Sequence, residues 1–169
     1  METTNSNIRL RPLKPGEDQH AVRVMAAVIR EIWHVSFSRV RAEEEGFEDL
    51  DDIQSFYFGN KGIFLVLEDE GKIVGTGAIG RVNRYRAELK RIWLLKPYRG
   101  QGLGNLMVSK LLDFARESGY RNIELYVYSP DLQLPAVELY KKFGFQVVGQ
   151  EPNHQGEMSW CMVKDLREK

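Results

Sequence analysis

Between Leu89 and Lys110 a β-prone run, Leu89-Lys90-Arg91-Ile92-Trp93-Leu94-Leu95, leads past Pro97 into Arg99-Gly100-Gln101-Gly102-Leu103-Gly104 and directly into a helical pattern. This junction constrains the fold more than any other stretch. Beyond it Leu103, Met107, Leu111 and Phe114 share one helical face, Val108, Leu112 and Ala115 adjoin it, and Gly119 ends the helix. Glycines at alternate positions strip side chains from the turn, so the helix opens with its first amide donors exposed. Those donors and the positive end of the helix dipole suit an anionic group such as a pyrophosphate, with Arg99 adding charge. A bare glycine triplet reads equally well as a flexible turn that permits tight helix–strand packing. The spacing is GxGxG, whereas the dinucleotide fingerprint needs GxGxxG and the P-loop needs Gly-Lys-Ser/Thr, so both common nucleotide motifs are excluded.

The rest of the chain supplies a sheet for that junction. Ile8-Arg9-Leu10-Arg11 alternates as a first strand, Pro15-Gly16 marks a turn, and Glu17 to about Trp33 reads as a helix. Its apolar face carries Ala21, Met25, Val28 and Ile32, with Val22, Ile29 and Trp33 beside them, and acidic Glu17 and Asp18 suit the first turn. Over 34–60 the charged stretch Arg39 to Asp52 interrupts the pattern before Ile53 to Phe58, which predicts a loop and a short helix. Ile63–Leu67 and Ile73–Ile79 form a hairpin, and Glu88–Leu95 extends its sheet. Gly75, Gly77 and Gly80 mean that the second of these strands either bends or is closely approached. Ile123–Tyr128 is a strand, Pro135–Phe143 a helix closed by Gly144, and Phe145–Val148 and Trp160–Val163 are the last strands. The order βααβββαβαββ predicts one mixed α/β domain over residues 1–169, its central sheet flanked by helices. A length of 169 residues suits a single core.

Composition then removes several function classes. With 24 Lys plus Arg against 24 Asp plus Glu the formal charge is zero, so no overall field draws the chain to nucleic acid or anionic lipid. No apolar run approaches the ~20 residues of a membrane span. The start METTNSNIRL lacks the basic and apolar blocks of a signal peptide, and the one cysteine, Cys161, has no internal partner; the expected compartment is the cytoplasm. Cys161 reads as a strand residue, and His20, His34 and His154 show no ligand spacing, so neither a metal nor a cysteine nucleophile is expected. The acidic run Glu43-Glu44-Glu45 with Glu48, Asp49, Asp51 and Asp52 reads as a solvated loop, or as an attractor of cationic amines.

Arg99-x-x-Gly102-x-Gly104 after its strand resembles the acetyl-CoA signature of the GNAT N-acetyltransferase superfamily, Gln/Arg-x-x-Gly-x-Gly/Ala. Downstream, Ala136-Val137-Glu138-Leu139-Tyr140-Lys141-Lys142-Phe143-Gly144-Phe145 is similar to that family's AxxLYxxxGF stretch, one helix and one strand further on. The two motifs in this order are specific, and the resemblance is clearest over 60–150. It implies a GNAT-like fold, with pantetheine lying as a pseudo-strand along a splayed strand at Leu94 and Leu95, one of whose N–H groups also faces the thioester carbonyl. It implies that Arg99 and the turn Gly100, Gln101, Gly102, Leu103 and Gly104 hold the pyrophosphate, and that Gln133 stands where the family often has a cofactor-contacting asparagine.

The resemblance further implies acetyl transfer to a primary amine by direct attack in a ternary complex. An alkyl amine of pKa ~9–10 must first lose a proton, and Glu88 stands where many members carry a glutamate base. Seven bases from Arg81 to Arg99 surround Glu88, so its carboxylate is expected to stay ionised and be a weak base. The same bases suit the cofactor phosphates or an acidic acceptor better than nucleic acid. Tyr140 falls where a tyrosine hydroxyl approaches the sulfur and protonates the thiolate, although Ala136, Tyr140 and Phe143 share one face and by spacing alone Tyr140 is a core aromatic. The implied acceptor is a small-molecule or peptide amine, and a homodimer is left open. A GNAT-shaped acyl-CoA sensor or interaction module without turnover is the rival reading; the presence of both Glu88 and Tyr140 argues for the enzyme.

Overall fold

The computed structural model describes residues 7–44, 46–153 and 156–167. Seven strands, β1 (Ile8–Pro12), β2 (Ile63–Asp69), β3 (Lys72–Arg81), β4 (Arg86–Leu94), β5 (Asn122–Val127), β6 (Gln146–Pro152) and β7 (Met158–Asp165), form one sheet ordered β1-β2-β3-β4-β5-β7-β6. Every neighbouring pair is antiparallel except β4 and β5, which run parallel. The helices are α1 (Asp18–Trp33), α2 (Phe37–Glu43), α3 (Ile53–Phe56), α4 (Leu103–Glu117) and α5 (Leu134–Lys142). Outside residues 34–60 the order of strands and α-helices is the expected one. Residues 34–60 hold more than a loop and one helix: α2, a 3-10 turn at Glu48–Leu50, α3, and another at Phe58–Asn60. Ser36 and Asp52 start the two helices by accepting from Arg39 N–H (3.4 Å) and Ser55 N–H (3.1 Å). Elements this short carry too few turns for a periodic signature.

Alternation along the strands sorts the core into two layers. On one face Ala87 and Leu89 of β4 and Ile123, Leu125 and Val127 of β5 pack with Leu103, Met107, Val108, Leu111 and Leu112 of α4 and Val137 and Tyr140 of α5. On the other, Phe64, Val66 and Ala78 pack with Ala21, Met25 and Ile29 of α1 and with Ile53 and Tyr57. Both expectations for the β3 glycines hold. A Cβ at Gly77 would lie 2.8 Å from Met107 and Leu111, and one at Gly75 2.9 Å from Leu67, so both positions are closely approached. The strand is also irregular there, its register with β4 shifting between Thr76 and Ala78.

Glu17 immediately precedes α1 and caps nothing with its side chain, which turns back to Arg11 of β1 instead. Arg11 grips both Glu17 oxygens at 2.8 Å and Glu68 of β2 at 3.0 Å, joining β1, β2 and the start of α1. The Arg11 hydrogen bonds outweigh burial and lower the Glu17 carboxyl from 4.5 to about 2. A depressed folded-state pKa stabilises above the unfolded value, so this contribution is present above pH 4.5 and disappears as pH falls toward 2. Glu17→Gln is expected to cost ~1 kcal/mol at pH 7, the partly exposed pair being screened by solvent, and to flatten that part of the acid dependence. Urea unfolding at pH 7 and pH 3 measures both; equal losses at the two pH values would contradict the assignment.

Candidate active site

Strands β4 and β5 pair only through Arg86↔Asn122, Ala87↔Ile123 and Glu88↔Glu124. Beyond Glu88, β4 continues against β3 and β5 continues against β7, so the facing edges run on without ladder partners. A bulge shapes the β4 edge. Thr76 pairs with Trp93 and Ala78 with Lys90, leaving Arg91 and Ile92 together opposite Gly77, and Arg91 takes a left-handed φ of 59°. The buried Thr76 hydroxyl donates to the Arg91 carbonyl at 2.7 Å. In a trans peptide unit the carbonyl and the following N–H point in opposite directions, so the Ile92 N–H points away from β3 into the opening. Likewise Leu95 N–H donates to Val74 on β3 at 3.0 Å, which turns the Leu94 carbonyl into the opening, where Arg99 Nε meets it at 2.9 Å. Leu94 therefore faces the opening. Leu95 does not: its N–H is engaged by β3, and Ile92, which sequence reasoning missed, offers the second N–H on this edge.

At the end of this edge lies the glycine turn. Gly100 and Gly102 have φ of 77° and 81°, and a Cβ on either would meet nothing within 4 Å, so the left-handed backbone, not crowding, calls for glycine. Gly104 is different: it lies inside α4, where a Cβ would come within 3.3 Å of Leu139, and its smallness seats α5. Gly102 opens α4 without a side-chain cap, and the first backbone bond of the helix runs from Leu106 N–H to the Gly102 carbonyl at 3.1 Å. The N–H groups of Leu103, Gly104 and Asn105 thus have no intrahelical acceptor, and those of Gly100, Gln101 and Gly102 find no backbone acceptor among the described residues. Gln101 fastens the turn by donating to the Pro97 carbonyl at 3.0 Å. Arg99 corrects its expected role as a free charge: its two terminal nitrogens bind both Glu31 oxygens of α1 at 2.7 and 2.8 Å, so it braces the turn and its charge is countered.

The side chains beside the opening come from four elements. Gln133, just before α5, accepts from Ser129 N–H at 3.0 Å, so its carbonyl closes the loop 129–133 and only its amide nitrogen remains to meet another group. The Ser129 hydroxyl accepts from Trp33 Nε1 at 2.9 Å, and Trp33 of α1 stands edge-on to Trp93 and Tyr128 at 6.3 and 6.1 Å, linking α1 to β4 and to the residues just after β5. Tyr140 of α5 is 8% exposed, its ring edge-on to Phe145 at 6.0 Å, yet its hydroxyl has no hydrogen-bond partner among the described residues. It is a core aromatic with an unengaged O–H, and burial raises its pKa well above the ordinary phenol range, so it holds its proton.

Glu88 occupies the last paired position of β4 before the opening. Burial raises its pKa, with Glu124 and Asp49 pushing the same way and Lys90 and Arg91 opposing. This corrects the expectation that surrounding bases keep it a weak base. Those bases do not act together: Arg84 lies over Tyr85, Arg86 binds Glu124 and Asn122, and Arg91 pairs with Asp49. Glu124, only 6% exposed and directly across from Glu88, also accepts from the Tyr126 hydroxyl. The pattern Ile123-Glu124-Leu125-Tyr126-Val127 places Glu124 and Tyr126 on one strand face, but not beside Glu88; that adjacency needs the β4–β5 register.

The acidic run is not a uniform solvated loop. Asp49 is 2% exposed and bound to Arg91, Asp51 pairs with Arg41, Glu43 with Arg39, and Asp52 caps α3; Glu45 lies outside the described residues. His154 also lies outside them. Among the described residues no group of three or more His, Cys, Asp or Glu is placed to hold a metal, and no helix is long and apolar enough to cross a membrane.

The model of the acetyltransferase (GNAT) family matches residues 26–145. The chain belongs to the GNAT acetyltransferase family. Among the relatives of this chain, the uncharacterized protein YyaT of Bacillus subtilis is 31% identical over 146 residues, covering 86% of this chain and 87% of that one. Human N-acetyltransferase 8B is 34% identical over 124 residues, 70% of this chain, which spans about half of that protein's length (52%). The fold agrees with a GNAT acetyltransferase from Staphylococcus aureus Mu50 at a TM-score of 0.79 and 17% identity, covering 94% and 99% of the two chains. It also agrees with the spermidine N-acetyltransferase of Vibrio cholerae, solved with CoA and spermine, at 0.68 and 21%, covering 97% and 98%. The seven-stranded α/β architecture is thus a GNAT fold.

Proposed function

We propose that this GNAT acetyltransferase transfers acetyl from acetyl-CoA directly to a primary amine while both are bound. One observation carries the reading: an unpaired strand edge at Ile92 and Leu94 runs into an uncapped helix start at Gly102, so one elongated ligand with an amide arm and a diphosphate fits both. The GNAT family match and the CoA-bound relative support acetyl-CoA as that ligand. The Leu94 N–H then pairs with the pantetheine arm, its carbonyl being held by Arg99, and the Ile92 N–H receives the charge that develops on the thioester oxygen. Gly100, Gln101, Gly102, Leu103 and Gly104 supply the diphosphate donors, Gln133 offers its amide nitrogen, and Arg99 braces the turn through Glu31. Acetyl-CoA supplies an activated acyl carbon. The ammonium form of the amine loses one proton to Glu88; the neutral amine then forms the new C–N bond as the C–S bond breaks, Tyr140 gives its proton to the sulfur, and the second nitrogen proton, shed as the amide forms, restores the Tyr140 hydroxyl. Glu88 and Glu124, adjacent across the parallel pair, make this side of the opening attractive to a cationic amine.

Thiol release from acetyl-CoA against a panel of small amines, amino acids and peptides tests the reading; cofactor binding without release for any of them would favour the sensor module instead. Tyr140→Phe keeps the ring against Phe145 and removes one oxygen. A folded variant with turnover lowered about tenfold is expected, below the usual ~10²–10⁴-fold range of acid–base groups because coenzyme A leaves tolerably well as a thiolate. The loss should shrink with an acetyl donor whose thiol is more acidic. Unchanged turnover with either donor would make Tyr140 a packing residue only.

A further inference from the structure

We propose that Asp49 is a positioning residue for acetyl transfer: by holding the Arg91 guanidinium it fixes the β4 bulge and so aims the Ile92 N–H. The inference rests on the proposed function, since it concerns the donor assigned there to the thioester oxygen.

Arg91 is a bulky L-residue in a backbone conformation that such residues avoid, and it has no glycine's freedom to stay there. Something must hold it, and its side chain shows what. The Asp49 carboxylate grips it at two points, Nε to Oδ2 at 3.0 Å and a terminal nitrogen to Oδ1 at 2.6 Å. That terminal nitrogen also donates to the Gly46 carbonyl at 2.8 Å, and the Phe47 ring lies 5.1 Å from the guanidinium carbon. The Tyr57 hydroxyl donates to Asp49 Oδ2 and so fixes the carboxylate in turn. Side-chain exposure is 11% for Arg91 and 2% for Asp49, so the pair is sheltered from solvent competition. On the backbone, Thr76 holds the carbonyl of the same peptide unit whose N–H belongs to Ile92. The peptide is therefore clamped twice, by Thr76 at its oxygen and by Asp49 through the side chain before it. Removing the Asp49 charge leaves a buried guanidinium without its counter-ion, which draws Arg91 toward water and frees the residue to relax to an extended conformation. That relaxation turns the peptide and with it the Ile92 N–H. The 46–50 segment thereby reaches the reaction through the backbone, without touching either substrate.

The test compares the parent with Asp49→Asn and with the double variant Asp49→Asn/Arg91→Gly, because glycine adopts the left-handed conformation unaided. Turnover in Asp49→Asn is expected to fall about 10–100-fold, near the low end for loss of one oxyanion donor, with the acetyl-CoA dissociation constant within about threefold of the parent. The double variant should recover most of the loss. Isotope-edited infrared spectra of bound acetyl-CoA labelled at the thioester carbonyl give a direct readout: the lowered stretch in the parent should rise in Asp49→Asn and fall again in the double variant. Parent-like turnover in Asp49→Asn, or no recovery by glycine, overturns the inference alone. If Asp49→Asn does not fold, the double variant, which buries no unpaired charge, decides: a parent-like stretch supports the inference and a raised one overturns it. A parent that binds no acetyl-CoA overturns the proposed function and this inference together.

Discussion

Acetyl-CoA will no longer stabilise the protein once Gly102 is replaced by Asp. In the parent, ligand at 100 times its dissociation constant should add about 2.7 kcal/mol to the folded state, a shift of a few degrees in Tm for a chain of this size. Two effects of the substitution act together. The position has a φ of 81°, which an aspartate adopts only with strain, and the new carboxylate faces the N–H groups at the start of α4 that would otherwise meet a diphosphate. The left-handed backbone should cost the ligand-free protein about 1 kcal/mol of stability, a loss separate from that of binding. Lost binding and lost structure are read separately: the ligand-free variant should still unfold cooperatively at a slightly lower Tm, while the ligand-induced shift vanishes. NAD and ATP should stabilise the parent less than acetyl-CoA does. A variant that still gains the full shift would remove the turn from the binding site.

Glu88→Gln should lower turnover about 100-fold near neutral pH and change the shape of the pH profile. Burial and Glu124 raise the Glu88 pKa, so in the parent the rate climbs as pH rises through that raised value and the carboxylate loses its proton. A base tuned upward in this way is, once ionised, a stronger proton acceptor than an ordinary glutamate. The glutamine variant has no such limb. Its rate should instead follow the amine's own deprotonation, rising through pH 8 and 9 and partly closing the gap. Acetyl-CoA affinity should stay within about threefold, because Glu88 lies below the unpaired edge and not along it. A uniform loss at every pH would point to a structural role.

Much of this was legible in the sequence, and the exceptions share a cause. The strands, α1, α4 and α5 were readable because each has enough residues for periodicity to show, and the glycine turn because left-handed backbone selects glycine at Gly100 and Gly102. Tyr140 and Glu88 were singled out through motif position. What stayed hidden depends on which elements become neighbours. Arg99 looked like a free charge because Glu31 is 68 residues away, and Glu88 looked exposed to a basic field because the partners of Arg84, Arg86 and Arg91 are fixed only by the fold. Asp49 is one carboxylate in an acidic run, and its burial follows from Arg91, 42 residues on. The bulge is the hardest case: its left-handed residue is an arginine, so the glycine that usually signals such a conformation is missing, and the trace lies on the facing strand at Gly77.

The sheet is joined across its middle only by the short parallel contact at residues 86–88 and 122–124. On one side stands a four-stranded antiparallel leaf, β1 to β4, and on the other a three-stranded leaf, β5, β7 and β6. Mechanically this is a book bound along a fraction of its spine, with α4 and α5 as its cover on one face. On the proposed function, the pantetheine arm lying along Leu94 would act as a removable length of binding between the pages. A bound cofactor would then be part of the architecture while present, and its release would leave the two leaves joined by the short seam that the chain provides for itself.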